Sequence, residues 1–216
     1  MAHTPETLVA ESEKALGCPR RGTRLSRALA RCLLRLGGWH IESRLPDHPR
    51  FVLIVAPHTS NWDFILGVLA MLAVGIRLNW LGKHTVFRFP IAGILRWLGG
   101  EGVDRSTHHG LVEAAIHRFQ SRPQWVLGIA PEGTRKRVER WKTGFYQIAV
   151  GAGVPILTVA LDYSRRVVDL GTLYWPSGDQ DADMRTLHAH YRKEMARHPE
   201  NFAEADESRQ PSLPRP

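Results

Sequence analysis

Apolar and polar positions along the chain follow two rhythms. Short unbroken apolar runs end in polar turns, and longer stretches carry apolar residues at helical spacing. The run "FVLIVA" (51–56) is apolar throughout and rich in β-branched residues, which predicts a buried strand. "QWVLGIAPEGTR" (124–135) repeats that design, and "VPILTVALDY" (154–163) is a third buried strand. "RLNWLGK" (77–83) predicts a shorter strand, "EGVDR" (101–105) a short segment, and "GGWHIESRLPDHP" (37–49) a strand or loop leading into residue 51. Helical patterns cover 23–37, 64–76 and "TGFYQIAVGAG" (143–153). A C-terminal helix is predicted over "ADMRTLHAHYRKEMARH" (182–198). "FPIAGILRWLGG" (89–100) predicts a short helix with Pro90 near its start and Gly99-Gly100 at its end. Ser106 or Thr107 is placed to cap a helix reaching residue 120. Strands alternating with helices predict an α/β fold: one layered domain with a central mixed β-sheet flanked by helices. The expected boundaries are a polar segment at 1–22, the domain at 23–198 and a polar, Pro-rich disordered tail at 199–216.

At 216 residues the chain is long enough to bury a sizeable core, and 43% hydrophobic with 23% charged residues is a globular composition. The longest apolar run, "FILGVLAMLAVGI", has 13 residues. A membrane-spanning helix needs about 20. The first 19 residues contain no apolar core of a secretory signal. Cys18 and Cys32 form neither a C-x-x-C nor a zinc-type cluster, so no structural metal is expected and a reducing, cytoplasmic compartment is.

Charge changes the picture. Lys and Arg number 29 against 21 Asp and Glu, a net charge of +8. Arg20, Arg24, Arg27, Arg31 and Arg35 recur along one stripe of the first helix, beside an apolar stripe of Leu25, Leu29, Cys32, Leu33 and Leu36. Such a basic amphipathic helix can lie in a bilayer interface with its arginines at anionic headgroups. It can equally pack its leucines onto its own core. No helix-turn-helix, zinc finger or aromatic RNP-like strand accompanies the charge, so nucleic acid is not an expected partner.

Two turns carry candidate chemistry. After the strand at 51–56 come Pro57, His58 and the cap-forming residues Thr59, Ser60 and Asn61, then Asp63. On one helix His58 and Asp63 would lie about 140° apart, and on one strand they would face opposite ways. A strand-turn-helix junction can bring them together, with Asp63 in the first helical turn where the macrodipole favours a negative charge. A carboxylate at one ring nitrogen fixes the histidine tautomer and leaves the other nitrogen as a base. A capping Asp beside an incidental His fits the same spacing. In the second turn Glu132 and Arg135 follow a buried strand, with Gly133 allowing a tight bend. Arg135 offers a planar fork to phosphate oxygens. Arg105 and Lys83 also close strand-like segments, so three cations at strand ends could converge on one anion.

These residues resemble the glycerolipid acyltransferase family, which includes the 1-acylglycerol-3-phosphate acyltransferases. "HTSNWD" matches the family's H-x-x-x-x-D signature, "GVDR" its second motif, "PEGTR" its third and "VPILTVAL" its fourth, in the family's order. "KTG" (142–144) falls where the family has K-x-G. The resemblance implies transfer of an acyl group from acyl-CoA or acyl carrier protein, as co-substrate rather than cofactor, to a lysophospholipid hydroxyl. It implies lysophosphatidic acid as the default acceptor and peripheral contact with an anionic membrane on its cytoplasmic face. It also implies His58 as general base, Asp63 as its orienter, and Arg105, Glu132, Gly133, Thr134 and Arg135 in acceptor binding, with Lys83 a weaker match. The chain departs from the pattern at Pro57, Ala130 and Thr158, near where an acceptor or acyl chain would sit. Another lysolipid, including an amino-acid-containing one, is therefore an open alternative. A thioester or ester hydrolase and a non-catalytic basic binding protein are rivals from other classes.

Overall fold

The computed structural model describes residues 17–103 and 108–204. Its chain order is α1 (Arg24–Leu36), β1 (His40–Glu42), β2 (Arg50–Ala56), α2 (Asn61–Val74), β3 (Asn79–Lys83), α3 (Ala92–Trp97) and β4 (Gly100–Val103). It continues with α4 (His108–Ser121), β5 (Trp125–Ile129), α5 (Gly144–Ala152), β6 (Ile156–Asp162), β7 (Val167–Tyr174) and α6 (Gln180–His188). The strands form one mixed seven-stranded sheet in the order β1-β7-β6-β2-β5-β3-β4. Every pairing is parallel except β6 with β7. The C-terminal ends of β2, β3, β4, β5 and β6 therefore share one edge, the edge where ligands gather in open α/β sheets.

Side chains alternate across the central strands and build two cores. Val52, Ile54, Leu127 and Ile156 join Phe119, Trp141, Phe145 and Ile148 on the face covered by α4 and α5. Phe51, Leu53, Val126 and Leu157 join Leu34, Leu66, Ala70 and Met71 on the face covered by α1 and α2. Burial on both faces explains why β2 and β6 read as continuous apolar runs rather than alternating ones.

The helix expected from residue 64 begins at Asn61, because Ser60 is its N-cap and Asp63 closes a capping box. Gly75, at φ 74°, ends it in the left-handed conformation. α1 does not pack its leucine stripe inward. Ala30 and Leu34 are buried, whereas Leu25 and Leu36 are each 79% exposed, with Leu29 and Leu33 also outward. Two stripe arginines instead reach the carbonyls that end α2: Arg31 Nε donates to Ala73 O at 3.1 Å and Arg20 Nη1 to Val74 O at 3.4 Å. These carbonyls lack helical partners, so the cations satisfy them and the negative helix end together.

One strand lies where none was expected, and two expectations need correction. β7 was not anticipated from sequence. The helix expected over 182–198 stops at His188, where the chain tightens and sends Tyr191 into the core, its hydroxyl donating to Ile54 O at 3.2 Å. Residues 199–204, expected in the disordered tail, are folded: Pro199–Asn201 is a 3-10 turn, and Phe202 and Ala203 are buried. No helix among the described residues is long and apolar enough to cross a membrane.

Candidate active site

β2 delivers the first turn to the C-terminal edge through a cis Ala56–Pro57 bond, and α2 carries the chain away from it. His58 Nδ1 lies 3.4 Å from Asp63 Oδ2, with the His58 side chain 21% exposed and that of Asp63 only 1%. The backbone N–H groups of Thr59 and Ser60 both donate to Asp63 Oδ2 at 2.7 Å. The Tyr163 hydroxyl donates to Asp63 Oδ1 at 2.6 Å. Burial opposes ionisation of Asp63, but the bonds from His58, Tyr163 and Ser60 outweigh it and hold the carboxyl below its usual range. Asp63 is therefore a fixed carboxylate, and it faces Nδ1 of the His58 ring.

β5, hydrogen-bonded beside β2, delivers the second turn to the same edge. Glu132 is 2% exposed, and its Oε2 accepts the His58 N–H at 2.7 Å. The two turns are thus clasped directly, 74 residues apart in sequence. Glu132 Oε1 is buried without a hydrogen-bond partner. Burial pushes the Glu132 carboxyl up to about 7, against the opposing effect of the His58 N–H. A buried, half-satisfied carboxyl beside a histidine is a candidate for chemistry.

Gly133 has φ +67°, and a Cβ there would meet the Lys142 side chain at 3.0 Å. The backbone approach of Lys142 N to Pro131 O, 2.9 Å, folds the 131–142 loop back on itself and lays that lysine across the glycine. Thr134 and Arg135 follow on the exposed arm of the loop. Lys83 ends β3 at this sheet edge, in register with Val103 of β4. Arg105 and the proposed caps Ser106 and Thr107 lie outside the described residues. The fold therefore brings His58, Asp63 and Glu132 into contact, sets Gly133, Thr134 and Arg135 next in the chain, and brings the backbone of Lys83 to the same edge.

Sequence reasoning missed two residues here. Tyr163 follows β6 at the functional edge, and its place directly after a buried strand was a usable signal. Arg197 stacks over the rings of Trp62 and Tyr163, with its guanidinium carbon 5.4 and 5.7 Å from their centroids. Nothing in its sequence context announces it. Of the motif departures, Thr158 is packed: its Oγ1 occupies the space a side chain at Gly171 of β7 would need.

A family model described as Acyltransferase matches residues 39–162. The chain is 29% identical over 152 residues to the 1-acyl-sn-glycerol-3-phosphate acyltransferase of Escherichia coli K12, covering 66% of this chain and 60% of that protein. It is 27% identical over 156 residues to the protein of the same name from Haemophilus influenzae, covering 68% and 62%. The chain thus spans about three fifths of the length of these curated relatives. Among solved structures it resembles the 1-acyl-sn-glycerophosphate (LPA) acyltransferase PlsC from Thermotoga maritima, with a TM-score of 0.55 and 16% identity over 83% of this chain and 74% of that one. That likeness is one of fold.

Proposed function

The chain belongs to the Acyltransferase family, and on that premise we propose that it moves a fatty acyl group from a thioester to the hydroxyl of lysophosphatidic acid, forming phosphatidic acid. The observation that carries the proposal is the buried Asp63 carboxylate facing His58 Nδ1 beside the Glu132 clasp. An alcohol is a poor nucleophile until a base takes its proton during attack. His58 Nε2 takes that proton as the acceptor oxygen bonds to the thioester carbonyl carbon, and Asp63 stabilises the imidazolium. The tetrahedral intermediate then expels the thiolate, which recovers the proton from His58. No covalent acyl-enzyme is required.

Glu132 holds the His58 backbone N–H through Oε2 and so fixes the turn at which the acceptor binds. Gly133, Thr134 and Arg135, with Arg105 and Lys83, bind the acceptor phosphate, for which a guanidinium fork is suited. The donor is acyl-CoA or acyl carrier protein. The enzyme works peripherally on the cytoplasmic face of a membrane. The outward leucines of α1, and Phe89, Ile91, Ile94 and Trp97 at α3, which are 96%, 50%, 63% and 62% exposed, support that reading. Exposed apolar side chains rimmed by arginines match an anionic lipid interface. Arg21, which precedes α1, stacks 4.6 Å over the Trp97 ring of α3.

The test supplies purified protein with labelled acyl-CoA, and separately acyl carrier protein, on liposomes carrying one acceptor at a time. The acceptors are lysophosphatidic acid, lysophospholipids with larger headgroups and an amino-acid-containing lysolipid. The expected product is phosphatidic acid. Acylation of another lysolipid alone would reassign the acceptor, and release of free fatty acid would make the protein a hydrolase.

A further inference from the structure

We propose that Tyr163 is a positioning residue for the His58–Asp63 pair and that Arg197 holds Tyr163 in that role. A carboxylate that orients a histidine must have its plane fixed, and one pinned oxygen leaves that plane free to rotate. The Thr59 and Ser60 N–H groups pin Oδ2 of Asp63, the oxygen facing His58, at 2.7 Å each. Tyr163 alone among the hydrogen-bond donors described here reaches Oδ1, at 2.6 Å, the length of a charge-assisted O–H···O bond. With both oxygens held, Asp63 presents Oδ2 to the ring in one orientation.

Tyr163 is itself braced from three directions. Its backbone N–H donates to Met195 O at 2.9 Å. The Trp39 ring meets it edge-on, with centroids 4.9 Å apart. Arg197 covers its face, and also that of Trp62, the residue before Asp63. The next residue, His198, donates its backbone N–H to Thr59 Oγ1 at 3.2 Å. The segment at 195–198 is therefore a strap laid across the His58 turn from the end of the fold. Burial, and then the Asp63 carboxylate, push the Tyr163 hydroxyl well above its ordinary range, so it remains a donor throughout the working pH.

The hydroxyl also tempers charge. By donating to Asp63 it disperses part of the carboxylate's charge, so removing it strengthens the attraction of Asp63 for a protonated His58. The groups packed around the pair are Glu132 from the loop after β5, Tyr163 from the end of β6, and Arg197 of the strap over Trp62 and Tyr163, while the His198 ring turns to Glu200 at 3.3 Å. All except the hydroxyl are unchanged by Tyr163→Phe.

The kinetic arm of the test rests on the acyl transfer proposed above. A nitrogen-15 NMR titration of the His58 ring does not, which keeps the two ideas separable. For Tyr163→Phe we expect kcat to fall about tenfold with both KM values within twofold. The His58 titration and the acid limb of kcat should move together to higher pH. Arg197→Lys, at an exposed position, keeps the charge but loses the planar guanidinium over Tyr163 and should shift both in the same direction by less. Wild-type protein without transfer activity would defeat the functional reading, and the titration would then decide the positioning role. An unchanged His58 titration in folded Tyr163→Phe overturns the proposal, even where kcat falls, because packing alone would then account for the loss. If Tyr163→Phe does not fold, Arg197→Lys decides by the same titration.

Discussion

Replacing Glu132 with Gln separates the cost of burying a charge from the hydrogen bond that the charge accepts. Glu132 is 2% exposed, and burial lifts its carboxyl from an ordinary 4.5 to about 7 despite the His58 N–H. A proton therefore binds the folded chain more tightly than the unfolded one. The contribution to stability is fully present below pH about 4.5 and is lost as pH rises through about 7. At about 1.4 kcal/mol per pH unit, that interval corresponds to about 3 kcal/mol. Gln can still accept the His58 N–H through its amide oxygen, while its buried NH2 costs a constant amount at every pH. The slope is therefore diagnostic rather than the absolute stability. Urea unfolding at intervals from pH 5 to 8 should show wild type losing about 3 kcal/mol relative to Glu132→Gln across the range. Parallel stability curves would refute the claim that an ionising buried carboxyl is held there at a cost. On the proposed function, transfer activity should fall in the same variant, because an uncharged amide changes the field at His58.

Other substitutions probe the parts around that site. Asp183, 1% exposed, accepts from the hydroxyls of Tyr146 at 2.8 Å and Tyr174 at 2.5 Å, and from Ser177 N and Oγ at 2.7 Å each. Asp183→Asn should cost about 3 kcal/mol, seen as a melting temperature lower by about 6–12 °C. Burial opposes ionisation of Asp183, but the bonds from Tyr174, Ser177 and Tyr146 outweigh it and hold the carboxyl down at about 2. Wild-type stability should therefore decline between pH about 4 and about 2 by a component the variant lacks. Gly133→Ala, at φ +67° and against Lys142, should cost about 1 kcal/mol in unfolding and raise KM for the acceptor more than KM for the donor. Leu29→Ser with Leu36→Ser should weaken co-sedimentation with anionic vesicles about tenfold or more while leaving the melting temperature nearly unchanged, since both side chains face outward.

The junction of β2 and α2 was legible because each step has a local cause. An apolar run exhausts itself, capping residues follow, and an acidic residue falls in the first helical turn. The same logic gave the turn after β5. β7 was missed because Asp169 and Gly171 interrupt its apolar positions, and only pairing with β6 gives the segment a reason to extend. The C-terminal helix was overextended because Met184, Leu187, Tyr191 and Met195 keep helical spacing, yet Tyr191 and Met195 reach the core through turns. Periodicity identified the leucine stripe of α1 but not which way it faces, since an apolar stripe suits a core and a bilayer alike. Tyr163 and Arg197 meet only because residues 195–198 fold across the sheet edge, a contact that no local rule encodes.

The proposed mechanism turns on His58 as the base. Its most direct test is the rate of acyl transfer from a labelled thioester to lysophosphatidic acid by wild type and by His58→Ala, with melting temperatures measured beside the rates. A general base contributes about 10² to 10⁴ in rate, so the variant should lose at least a hundredfold with its fold intact. A folded His58→Ala protein that keeps transfer within tenfold of wild type would contradict the mechanism.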